Sequence, residues 1–182
     1  MRFRALLATG LVLALGSTCL LADSPDTRTM FDHELRRLHS DESVNLQDTL
    51  AGNPLLLVNT ASRCGFTGQF EGLEALHQEF AGSGLKVAGF PSNDFQQELE
   101  DEAEVAEVCR INFGVTFDMF APIQVRGEDA HPLFRELAVQ SEEPGWNFHK
   151  YVVDRDGKVV AAFPSRVRPD DPELREAIES VL

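Results

Sequence analysis

The run Leu55-Leu-Leu-Val-Asn-Thr-Ala61 constrains the fold more than any other stretch of the chain. It follows a Gly52-Asn53-Pro54 turn, is dense in branched apolar residues, and lacks the alternation that would leave one face wet. A strand of that kind is buried on both sides, so the sheet containing it needs a layer on each face. The next segments supply such layers. Phe70, Leu73, Leu76 and Phe80 recur at helical spacing, Gly82 and Gly84 end that helix, and 85–90 is a second apolar strand.

Beyond the loop at 91–94, the chain reads as a helix over 100–113 with acids in its first turns, where the helix dipole favours them. A short strand over 119–125 and a helix over 132–139 follow. Residues 151–153 and 158–163 flank Asp154-Arg-Asp-Gly157, a hairpin turn signature, and 172–182 is a closing helix. Alternating β and α units predict an α/β domain with a parallel-containing sheet, which the late hairpin makes mixed. This is the order of a thioredoxin-like fold with a mixed central sheet flanked by helices. The weaker pattern over 32–50 is expected to add an N-terminal hairpin.

Length and charge narrow the function. The 182 residues suit one domain, and the formal charge of −14 repels phosphate backbones and anionic bilayers, which argues against nucleic-acid binding. Residues 1–22 have the layout of a secretory signal peptide: Arg2 and Arg4, an apolar run over 5–15, then small residues up to Ala22. That run is too short to span a bilayer, so no membrane insertion is expected. Cleavage after Ala22 leaves a single domain over 23–182 and predicts an exported, periplasmic protein. The competing reading, lipid anchoring at Cys19, has Thr18 before the cysteine and Gly16 three places before it, a poor lipobox. The mature chain keeps two cysteines, Cys64 and Cys109. In an exported protein such a pair most often forms a structural disulfide, and context has to displace that reading.

Cys64 stands three residues past the buried strand and ahead of the first helix. Strand ends and the helix starts facing them are where reactive groups collect in α/β sheets, and a helix N-terminus favours a thiolate. For a lone cysteine, a buried inert thiol fits the same position. The surrounding words decide between them. Val58-Asn-Thr-Ala-Ser-Arg-Cys-Gly-Phe-Thr67, Gly89-Phe-Pro-Ser-Asn-Asp-Phe95, Asn112-Phe-Gly-Val-Thr-Phe117, Ala130-His-Pro-Leu-Phe134, Trp146-Asn-Phe148 and Val153-Asp-Arg-Asp-Gly157 resemble, in order and spacing, the motifs of the glutathione peroxidase family.

That resemblance implies a thiol peroxidase in which Cys64 reduces hydrogen peroxide and organic or lipid hydroperoxides and becomes a sulfenic acid. Trp146, Asn147 and a glutamine would assist it as uncharged donors. The glutamine is expected at Gln97, with Gln96 the alternative, because the loop is about a residue shorter than the family's and lacks its glycines and proline. Cys109, 45 positions after Cys64, falls where cysteine-type members carry a resolving cysteine. The disulfide it forms would be recycled by a thioredoxin-like protein or glutathione.

Without the resemblance, Trp146 is core filler, Asn147 a turn residue and Cys109 a packed thiol beside Val105 and Val108. Two rivals remain open. An exported dithiol oxidoreductase of the same fold would need Cys-x-x-Cys, whereas the fourth position here is Thr67. A redox-sensing module would use the scaffold without turnover. His33, His39, His77, His131 and His149 have no mutual ligand spacing, so neither metal nor cofactor is expected. The short segment between Leu137 and Trp146 predicts a monomer.

Overall fold

The doubly buried strand lies in the middle. In a computed structural model that describes residues 30–182, β3 (Leu55–Thr60) is buried at every position. It pairs in parallel with β4 (Lys86–Pro91) and antiparallel with β6 (Lys150–Val153). β5 (Asp118–Met119) extends the sheet beyond β4, and β7 (Val159–Phe163) beyond β6, giving the order β5-β4-β3-β6-β7. This is the mixed thioredoxin-like sheet that the alternation predicts. The expected leader over 1–22, with Cys19, lies outside the described residues.

Side-chain alternation along β3 divides the core in two. Leu56 and Val58 point into one cluster with Phe70, Leu73, Leu76 and Phe80 of α2 (Gln69–Phe80) and Leu174 and Ile178 of α5 (Pro172–Glu179). Leu55 and Leu57 point into the other, with Leu133, Phe134 and Leu137 of α4 (Pro132–Gln140) and Leu46 of α1 (Leu46–Thr49). A one-residue slip of β3 would exchange these two sets, so the register is strongly fixed. The N-terminal hairpin is present as well, with β1 (Glu34–Arg36) antiparallel to β2 (Ser43–Asn45).

Three sequence expectations need correction. The strand expected over 119–125 pairs with β4 only at Asp118–Met119. Pro122 has no N–H to continue a ladder, and the chain turns toward the hairpin, where the Ala121 N–H meets the Arg36 carbonyl at 2.8 Å. The helix expected over 100–113 begins at Glu102, behind Asp101, whose side chain accepts the Ala103 N–H at 2.8 Å. α3 (Glu102–Ala106) then widens into a π-helical turn over Glu107–Asn112. The closing helix ends at Glu179, three residues before the expected end.

Candidate active site

Between β3 and α2 the chain folds into consecutive turns that hold Cys64. The Thr67 N–H donates to the Cys64 carbonyl at 3.0 Å, and the Thr67 hydroxyl accepts the Cys64 N–H at 3.1 Å. That hydroxyl also lies 2.9 Å from the Ala61 carbonyl and 2.8 Å from that of Cys64, so its proton always has an acceptor. Thr67 therefore staples the turn at the position where a dithiol oxidoreductase would carry its second cysteine. The Cys64 sulfur accepts the Phe66 N–H at 3.4 Å, and the residue is 9% exposed: close to the surface without projecting from it.

The loop after β4 is tied to the residues just before this cysteine. The Arg63 N–H donates to the Gln97 carbonyl at 2.9 Å, and the Ser62 N–H to Glu98 Oε1 at 3.0 Å. Of the two adjacent glutamines, Gln97 is the one whose side chain meets the third segment: Asn147 Nδ2 donates to Gln97 Oε1 at 3.2 Å. Gln96 is exposed and sits in the left-handed region at φ 56°.

Trp146 and Asn147 are held from below by Asn59 of β3, which is fully buried. Asn59 Nδ2 donates to the Trp146 carbonyl at 3.1 Å, while its Oδ1 accepts the His149 N–H at 3.0 Å. The Asn59 carbonyl takes the Phe148 N–H at 2.7 Å. One asparagine thus clasps the whole turn. Trp146 is 41% exposed and lies against Phe95, ring centroids 5.1 Å apart and tilted by 49°. Asn147 is fully buried, yet its Oδ1 has no hydrogen-bond partner among the described residues. A desolvated acceptor left open costs about 1–3 kcal/mol, and such an atom calls for an explanation other than stability.

Cys109 lies on the π turn, 1% exposed, in the same apolar cluster as Cys64. Both thiols are free. Burial, reinforced by the nearby Glu98 carboxylate and only partly offset by Arg110, pushes the Cys109 thiol up to about 12. Burial also raises the Glu98 carboxyl, against the N–H groups of Ser62 and Leu99 that it accepts. A cavity of about 700 Å³ opens beside Gly65 and Phe66, walled by the first turn of α2 and by Arg166 and Arg168.

Residues 30–138 match the glutathione peroxidase family model. The chain belongs to the glutathione peroxidase family. It is 42% identical over 147 residues to the glutathione peroxidase of Lactococcus lactis subsp. cremoris, covering 78% of this chain and 92% of that one. The thioredoxin/glutathione peroxidase BtuE of Escherichia coli is 39% identical, with 78% and 92% covered. Among solved structures, the crystal structure of Trgpx in apo form superimposes with a TM-score of 0.62 at 33% identity, over 82% of this chain and 95% of that one. As a glutathione peroxidase family member, the protein is a thiol peroxidase acting on hydroperoxides.

Of the residues singled out from the sequence, Gln97, Trp146 and Asn147 share one hydrogen-bonded cluster tied to the turn of Cys64, and Cys109 packs in the same apolar cluster as Cys64. Sequence reasoning missed three residues that hold this cluster together: Asn59, Thr67 as a staple and Glu98. A signal existed for Asn59, an amide inside an otherwise apolar buried run, where a polar side chain must be satisfied.

Proposed function

We propose that Cys64 is the peroxidatic nucleophile, assisted by Gln97, Trp146 and Asn147, and that Cys109 resolves it. The thiolate of Cys64 attacks the outer oxygen of a hydroperoxide, an S–O bond forms as the O–O bond breaks, and the departing alkoxide or hydroxide takes up a proton to become alcohol or water. Cys109 then displaces the oxygen of the sulfenic acid as water, giving a Cys64–Cys109 disulfide, which an external dithiol reduces. The observation that supports this reading is the convergence of three chain-distant segments, at 62–64, 97–98 and 146–147, through hydrogen bonds between them. The open Asn147 Oδ1 suits the O–H of an incoming hydroperoxide.

Two free thiols in one cluster, one on a π turn, favour resolution within the chain over direct attack by glutathione, and hence a thioredoxin-like reductant. The leader-like residues 1–22 support export to the periplasm, and the short segment after Leu137 supports a monomer. Mass spectrometry of the Cys109→Ser variant after one equivalent of peroxide tests the scheme. A sulfenic acid trapped on Cys64, with a disulfide formed only in the wild type, is the expected result; an unreacted Cys64 thiol removes it.

A further inference from the structure

Lys150, the first residue of β6, is fully buried. Its neighbours across the sheet are Val58 of β3 and Phe163 of β7, neither able to balance a charge. Among the described residues no carboxylate pairs with it. Its one hydrogen bond runs from Nζ to the Phe148 carbonyl at 2.7 Å. Burial alone lowers this amine to about 7, so its place in the core is paid for in stability.

The carbonyl it holds belongs to an unusual residue. Phe148 adopts φ 64°, left-handed backbone that a bulky side chain disfavours by about 1–2 kcal/mol. Its ring is fixed against Phe70, 5.2 Å away at 80°, and its N–H is fixed by Asn59. The peptide that follows is held from both sides: Lys150 takes its carbonyl, and the His149 N–H donates to Asn59 Oδ1 at 3.0 Å. Without the Lys150 bond that peptide keeps only its Asn59 contact, so the strained Phe148 backbone has room to shift, and the shift is passed to its chain neighbours, Asn147 and Trp146.

We infer that Lys150 is a positioning residue: its amine holds the Phe148 carbonyl, and this sets the orientation in which Trp146 and Asn147 face the turn of Cys64. The inference rests on the proposed role of Cys64. Trp146 is the sole tryptophan of the chain, so intrinsic fluorescence reports this orientation directly. The test is Lys150→Met in the otherwise native protein, a substitution that keeps length and removes the donor. The expected variant has an unchanged or higher Tm, a Trp146 emission moved toward that of free indole in water, and a rate of Cys64 oxidation by hydrogen peroxide lower by about tenfold to a hundredfold, the scale of a misplacement near 1 Å. Lys150→Gln, which restores an N–H donor on a shorter chain, should recover part of both signals, and it carries the comparison if the Met variant does not fold.

A folded Met variant with wild-type emission or a wild-type rate overturns the inference, as does a folded Gln variant no better than Met. These failures are distinct from failure of the proposed function, in which wild-type Cys64 itself does not react. In that case the inference falls with it.

Discussion

Replacing Asn59 tests whether the Trp146–Asn147 turn is held from the core strand. Asn59→Ala removes two bonds, to the Trp146 carbonyl and from the His149 N–H, and leaves the Asn59 backbone contact to Phe148 in place. A buried group deprived of its partner costs about 1–3 kcal/mol. The His149 N–H is enclosed and should show the upper part of that range, whereas the Trp146 carbonyl is only partly covered and water can replace the lost donor. The expected loss is therefore about 3 kcal/mol, a large share of a typical domain's stability. Asn59→Asp keeps the acceptor for His149 but turns an oxygen toward the Trp146 carbonyl and buries a charge, so it should be worse. Urea unfolding followed by Trp146 fluorescence and far-ultraviolet circular dichroism measures both variants. An Asn59→Ala protein that loses less than about 1 kcal/mol, with unchanged Trp146 emission, would refute the clasp.

Two further outcomes follow from the same geometry. The Lys150 amine titrates near 7 when folded and near 10.5 when unfolded, so between these values unfolding takes up a proton and stability rises with pH. The rise should reach about 5 kcal/mol by pH 10.5, read as the difference between the urea midpoints of wild type and Lys150→Met, and a parallel pH dependence of the two proteins would contradict it. Arg110 donates from Nη2 to the Leu38 carbonyl at 2.9 Å, pinning the π turn to the N-terminal hairpin. Arg110→Ala should speed disulfide formation several-fold and leave sulfenic acid formation unchanged in rapid-quench mass spectrometry; equal effects on both steps would argue against a separate opening of that turn.

The parts of this structure legible in the sequence are those set by apolar spacing and turn chemistry. β3, α2 and β4 follow from long unbroken patterns, and the β6–β7 hairpin from Asp154-Arg-Asp-Gly157. What escapes is whatever depends on backbone detail. A π turn shifts the side chains of Glu107–Asn112 by a fraction of a turn, which a short segment of mixed polarity does not reveal. That Gln97, and not Gln96, meets Asn147 depends on the backbone of a loop with a left-handed residue and no glycine to announce it. Cys64, Trp146 and Asn147 are singled out by their neighbours in the chain, but Asn59 holds a turn 87 positions away that only the folded sheet supplies, and Lys150 meets a carbonyl two residues back only because of the left-handed backbone at Phe148.

The two cysteines sit in one core but in different states, and that difference orders the proposed cycle. Cys64 lies at the surface end of its cluster, on a turn; Cys109 is enclosed, with a thiol near 12. At pH 7 such a thiol is ionised to about one part in 10⁵, against a few parts in a hundred for an ordinary cysteine. Resolution from the closed structure is therefore suppressed before distance is considered, by less than this ratio because a thiolate of higher pKa is the stronger nucleophile. Once the π turn opens, Cys109 leaves both the apolar surroundings and the Glu98 carboxylate, the two causes of its raised pKa, and regains an ordinary thiol's reactivity. π turns are rare, and a local opening there needs less free energy than global unfolding. In the proposed cycle, peroxide reduction and disulfide formation would thus be separated by a conformational step, and the burial of Cys109 would keep it from reacting until the turn opens.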